Sequence, residues 1–335
     1  MRLILPSSPL FAGAAMAAVV AGLPFASSDL YVTHIATLVC TYWVLVAGLN
    51  LLVGFMGQLS IGHVGLLAVG SYTFVILERN FGISPELSLL FAAGAGSFGG
   101  LLLGIPALRL PGFYFAMATL AFSTIVIEIA TARVDLTGGG AGMPAPTFSP
   151  PFATPQGFYW LCAAIAMVVT ILSWNLVRGA WGRAMIAIRD SEIAASSVGI
   201  SLYRVKLIVF IFSGAVAGLA GALFASLQTY ITTDTFHLEL GLFFFICIVI
   251  GGRGSILGPL LGTILLTALP ELVSSFAAVS GLVYGFVLLT VVLLVPGGMS
   301  QALEYLFRRG RRGLEGVGNI PDLDALGRGI KLGAT

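Results

Sequence analysis

The sequence predicts an all-α, polytopic membrane protein of about ten transmembrane helices (eight to ten), with both termini in the cytoplasm. Three observations carry that expectation. Hydrophobic residues make up 58% of the 335-residue chain and charged residues only 9%, with a mean hydropathy of +1.04, whereas soluble domains carry about 25% charged residues. Apolar runs near the ~20 residues needed to cross the hydrocarbon core recur along the chain. The few charges collect between those runs, so the apolar stretches read as spans in a lipid bilayer. A net charge of +2 is too small to attract nucleic acid. Cys40, Cys162 and Cys247 each lie inside an apolar run without metal-ligand spacing, so they read as small buried hydrophobes and no metal site is expected.

In chain order the candidate spans are 10–27, 30–53, 57–77, 88–106, 112–132, 157–177, 206–230, 239–251, 255–274 and 281–297. The first, though it follows Arg2, is long enough to span rather than to be a cleaved leader. The eighth and ninth are short or crowded with glycine, which makes one of them a candidate re-entrant segment. A cytoplasmic N-terminus puts 14 of the 16 Lys and Arg residues inside and leaves Arg79 and Arg133 outside, as the positive-inside rule asks. Residues 1–307 then form the transmembrane domain and 308–335 a loose cytoplasmic tail. The Gly- and Pro-rich connection 133–156 cannot be one helix, because proline lacks the amide donor and glycine is flexible. It is either a structured outer loop or a linker.

Glycines within spans let helix backbones approach closely, and residues 94–100 (GAGSFGG) and 217–222 (AGLAGA) fit that packing role. Residues 48–73 differ, because Asn50, Gln58, Ser60, His63, Ser71 and Tyr72 are mixed with Gly54, Gly57 and Gly62. Polar groups at membrane depth are costly unless they face a cavity or other protein, and broken backbone is tolerated only in such places. Two readings stay open, a translocation pathway or gate and hydrogen bonding between packed helices. Gly251, Gly252 and Gly254 form a similar segment around Arg253. Glu128 is a lone acid in the fifth span, either functional or close to the outer interface beside Arg133.

Residues 178–206 hold seven of the chain's 30 charged side chains. The spacing predicts two short helices meeting at Asp190, with Met185 and Ile188 on one face of the first. Asp190 and Glu192 sit at the positive N-terminal end of the second, and Gly199 ends it in the left-handed conformation. Such an element is suited to a cleft in a soluble partner, or it is a solvated loop.

Four segments together resemble the permease subunits of the branched-chain amino acid ABC importers, of the type called LivM. They are GLNLLVGFMGQLSIGHVGLLAVGSY (48–72), LRLPGFYFAMATLAF with LTGG (108–122, 136–139), GRAMIAIRDSEIAASSVGISLYRVKL with FSGAVAGLAGAL (182–207, 212–223), and VIGGRGSILGPLLG (249–262). The resemblance implies a multi-pass protein of the bacterial cytoplasmic (inner) membrane that pairs with a second, related permease as a heterodimer. Further implied partners are two cytoplasmic ATP-binding subunits and an extracytoplasmic substrate-binding protein. Residues 178–206 then correspond to the segment that couples to the ATPase, with Arg183, Arg189, Asp190, Glu192 and Gly199 as coupling residues. The chain has no GxxxxGK[ST] phosphate loop, so no catalytic residue and no cofactor is expected in it, and ATP and magnesium belong to the partner ATPases. Phe113 departs from the family, which often has a polar residue there. The family's substrates include urea, short amides and aromatic acids beside branched-chain amino acids. The main alternative, a secondary transporter driven by an ion gradient, needs a buried coupling site, for which Glu128 is the only deep acid and has no paired partner in the sequence. A membrane-embedded enzyme would need converging groups that the scattered His34, His63 and His237 do not supply.

Overall fold

The computed structural model describes residues 30–107, 110, 112–273, 285 and 299. The expected spans 10–27 and, but for residue 285, 281–297, the tail 308–335, Arg2 and Arg109 lie outside the described residues. The rest is built of helices. α1 (Leu30–Asn50) runs into a π-helical turn (Leu51–Phe55), followed by α2 (His63–Phe81), α3 (Pro85–Ala107) and α4 (Gly112–Ala132). A short helix α5 (Val134–Thr137) precedes α6 (Pro155–Arg178), α7 (Ala180–Asp190), α8 (Glu192–Ser197), α9 (Leu202–Gln228), α10 (Leu238–Gly251) and α11 (Leu257–Val273). Among the described residues six stretches are long and apolar enough to cross a membrane: Leu30–Phe55, Pro85–Pro106, Gly112–Ala132, Pro155–Arg178, Leu202–Gln228 and Thr233–Gly251. The protein is an all-α, multi-pass membrane protein.

α9 is the central helix, packed on α1, α2 and α3, while α1 also packs on α6 and α11. The two glycine-rich runs expected to pack do meet one another. A Cβ added at Gly96 would collide with the Gly214 carbonyl oxygen, and one at Gly218 with the Ala92 carbonyl oxygen. Bare backbone on both sides lets α3 and α9 come close enough for van der Waals packing to hold them. α4 lies at the periphery: only 28% of its most apolar stretch is buried, against 83% for Leu30–Phe55.

The connection after α4 is a structured loop. Met143–Pro144 (β1) pairs antiparallel with Tyr230–Ile231 (β2), and the Tyr230 hydroxyl donates to the Ala141 carbonyl at 2.7 Å. Phe148 stacks between Phe74 and Phe158. Thr154 caps α6 by accepting from the Gly157 amide at 3.1 Å.

Of the expected spans within the described residues, 57–77 and 255–274 are not among the six stretches long and apolar enough to cross a membrane. The helix expected from residue 57 begins at His63 instead, because Gly57 takes the left-handed conformation (φ +74°). The backbone then stays irregular to Gly62, where a side chain would collide with the Thr119 carbonyl of α4. The polar, glycine-rich stretch is thus a break between α1 and α2.

Candidate functional site

The charged segment is seated on that break. In the π turn the Met56 amide reaches back to the Leu51 carbonyl (3.0 Å) and the Gln58 amide to that of Leu52 (2.9 Å). The Gln58 amide is therefore not spent on the Gly54 carbonyl, its partner in an unbroken α-helix. Arg189 takes its place, its Nη1 donating to the Gly54 oxygen at 2.6 Å. A cation at this end also complements the negative pole of the α1 dipole. The arginine fits because two glycines make room. A Cβ at Gly57 would stand 3.0 Å from Arg189 Cγ, and one at Gly254 would stand 3.1 Å from Nη1. Gly54 is itself closed in, since a Cβ there would collide with Asn50 Oδ1 and meet the Gly254 amide at 3.2 Å. Asn50 makes a second link between the same segments, its Nδ2 donating to the Ser255 carbonyl at 2.9 Å. Its buried Oδ1 has no hydrogen-bond partner among the described residues.

A second set of contacts lies beside the first. Glu192 accepts from Lys206 Nζ at 2.6 Å and from Gln58 Nε2 at 3.2 Å. Lys206 is buried and Glu192 about half exposed on its side chain, so the carboxylate neutralises an ammonium that water cannot reach. Met185 and Ile188 of α7 and Ala195 of α8 are buried beneath. Of the residues in the segment picked out from sequence, Arg189 is half-buried and Glu192, though exposed, bonds inward to Lys206 and Gln58, while Arg183, Asp190 and Gly199 are exposed. The two short helices are present, but Ser191 rather than Asp190 caps α8, its hydroxyl accepting from the Ala194 amide at 3.2 Å. Gly199 has φ +86° just past the end of α8. On the outward side Ile193 is 84% and Val198 74% exposed.

The remaining polar residues picked out from sequence, at the end of the break and along α2, are buried. His63 is buried between two serines, with Nδ1 2.9 Å from Ser60 Oγ and Nε2 2.7 Å from Ser213 Oγ on α9. One ring nitrogen donates and the other accepts. The Ser71 hydroxyl donates to the Gly221 carbonyl at 2.7 Å, and Tyr72 packs its ring on Phe236 while its buried hydroxyl has no partner among the described residues. Thr119 of α4 accepts from the Ile61 amide at 3.2 Å. Gly251 and Gly258 pack backbone to backbone where α10 meets α11, and Gly252 (φ +109°) and Gly254 (φ +81°) shape the turn between those helices. Glu128 is exposed on α4, one turn before its end, and Phe113 is exposed at its start. Sequence reasoning missed Ser213, Thr119, Ser255 and the inward role of Lys206. Ser213, Thr119 and Ser255 each partner a residue at least 58 positions away, so no local spacing announces them. Among the described residues no three His, Cys, Asp or Glu side chains converge as a metal site.

Comparisons with known proteins agree with this architecture. Residues 31–295 match the family described as branched-chain amino acid transport system / permease component. The high-affinity branched-chain amino acid transport system permease protein LivM of Escherichia coli (strain K12) is 35% identical over 292 residues, covering 79% of this chain and 69% of that protein. Its Salmonella typhimurium counterpart is 34% identical over the same shares. The autoinducer 2 import system permease protein LsrC of Enterobacter sp. (strain 638) is 31% identical, covering 73% of this chain and 72% of that protein. No solved structure matches the chain. The match along nearly the whole helical body, including the break and the charged segment, establishes that this chain is a multi-pass inner-membrane protein belonging to the branched-chain amino acid transport permease family.

Proposed function

We propose that the chain is one of two related permeases in an ATP-driven importer, with ten spans, both termini cytoplasmic and the charged segment on the cytoplasmic side. Two ATPase subunits engage that segment, and an extracytoplasmic binding protein delivers the solute, a branched-chain amino acid. The observation that carries this reading is the family match across residues 31–295, which takes in the charged segment. The amino acid rather than the autoinducer 2 substrate is favoured by the 34–35% identity to the two LivM proteins against 31% to LsrC. Exposed Ile193 and Val198, flanked by Arg183 and Asp190, supply the apolar and charged contacts a soluble partner needs.

Gln58 and Ser60 fall within the break, Asn50 and His63 flank it, and Ser71 and Tyr72 lie further along α2; under this proposal these residues and the break form part of the translocation pathway or gate. ATP binding draws the ATPases together, the coupling segment moves, and the pathway switches from outward to inward opening. Such a switch needs the segment to dock differently in the two states, since a partner shifts an equilibrium only by its differential affinity. The test is leucine uptake by proteoliposomes holding the purified complex. ATP inside the cytoplasm-facing compartment should drive uptake, and Ile193→Asp should lose the ATPase on co-purification while the permease stays in the membrane. Uptake driven by a proton gradient with ATP removed would overturn the reading in favour of a secondary transporter.

A further inference from the structure

Arg189 is placed to do more than anchor a loop. It is the penultimate residue of α7, which ends at Asp190 and is followed directly by the Ser191 cap of α8, so any partner that displaces the exposed α8 displaces Arg189 with it. Its guanidinium donates to the Gly54 carbonyl of the π turn and lies against Gly254 of the α10–α11 turn, while its aliphatic stem lies against Gly57 of the break. The break it holds has the features of a hinge. It begins with a π turn, a geometry that recurs at functional sites, and continues through a left-handed glycine. Its far end is seated on two other helices, through Ile61 on Thr119 of α4 and through His63 on Ser213 of α9.

From this geometry we infer that Arg189 is the positioning residue through which movement of the charged segment reaches the membrane helices: it carries the end of α1 and the α10–α11 turn along with α7. The inference rests on the importer reading above. The Glu192 contacts to Gln58, beyond the Gly57 turn, and to Lys206 of α9 keep the segment attached beside this link, so loss of Arg189 does not release the segment but frees it from the Gly54 carbonyl and the α10–α11 turn. Arginine suits the role because its planar fork stays charged and donates several hydrogen bonds in fixed directions. Lysine keeps the charge and can still reach a carbonyl, but as a single point donor.

The experiment uses the whole complex in proteoliposomes and reads solute imported per ATP hydrolysed. Arg189→Met should keep ATPase co-purification and ATP hydrolysis but lower the ratio by about tenfold or more, the scale of one lost charge-assisted hydrogen bond. Arg189→Lys should recover part of it. A purely structural staple would instead reduce the amount of complex while leaving the ratio at the wild-type value, and that result overturns the inference. A second variant decides the matter if Arg189→Met fails to assemble. A Cβ at Gly57 would lie 3.5 Å from Arg189 Cβ, within the usual range for a disulfide. The double variant Gly57→Cys with Arg189→Cys should therefore couple when oxidised with copper-phenanthroline, because the covalent bond replaces the arginine link, and uncouple when reduced. The same ratio in both redox states overturns the inference. Failure of the wild-type chain to retain any ATPase would instead overturn the importer reading on which the inference stands.

Discussion

Where α3 crosses α9, glycine meets glycine; where the charged segment meets the end of α1, glycine meets an arginine. At the first place Gly96, Gly214 and Gly218 leave no room for anything but backbone, and the contact is apolar with no hydrogen-bonding side chain in it. At the second, Gly54, Gly57 and Gly254 leave a slot that a guanidinium fills, with a carbonyl the π turn has left for it. The contrast teaches that glycine content alone does not define a role in a membrane helix. Close-packed backbone resists separation, because any displacement forfeits many small contacts at once. A slot closed by one charge-assisted hydrogen bond has a single strong contact that can be made and broken.

Substitutions sharpen this comparison. The largest expected effect is Gly218→Val. Its side chain meets the Ala92 carbonyl, backbone that cannot step aside, so the subunit should lose about 3 kcal/mol or more of stability, read as a lower melting temperature in detergent. Glu192→Gln comes next. It leaves the buried Lys206 ammonium facing a neutral amide, at a cost of about 2 kcal/mol, and adding Lys206→Met should recover much of it. Gly54→Ala should cost less, about 1–2 kcal/mol, because its nearest obstacle is the Asn50 side-chain amide rather than backbone. A loss as large as that of Gly218→Val would show the slot to be as rigid as the helix crossing, against the distinction drawn here. The smallest effect has the opposite sign. Gly94 of α3 has no atom within 4 Å of an added Cβ, so Gly94→Ala should stabilise the isolated subunit by about 0.5–1 kcal/mol. A destabilised Gly94→Ala subunit would show that packing in α3 extends to the face that carries Gly94.

Much of the helical layout was legible in the residues. Apolar length marked α1, α3, α4, α6 and α9, and cap chemistry marked two short helices between α6 and α9. The reading went astray where two neighbouring polar residues compete for one role, as at Asp190 and Ser191. Serine has the shorter side chain and sits at the extended residue just before the helix, so it takes the Ala194 amide. The start of α2 was misjudged for a related reason. Hydropathy counts side chains, and a left-handed glycine followed by five more residues of irregular backbone leaves little trace in it.

By itself the sequence determined that the chain lies in a membrane, that it is helical, where most helices run and which family it belongs to. Those properties follow from burial in a bilayer, which requires each span to satisfy its own backbone hydrogen bonds within a continuous apolar stretch, and from short-range capping. Only the tertiary structure decided which face of the charged segment is spoken for. The Arg189–Gly54 contact joins residues 135 apart, and the His63–Ser213 contact residues 150 apart. A carbonyl freed by a π turn has no side chain to announce it, so its partner appears only when the chain has folded.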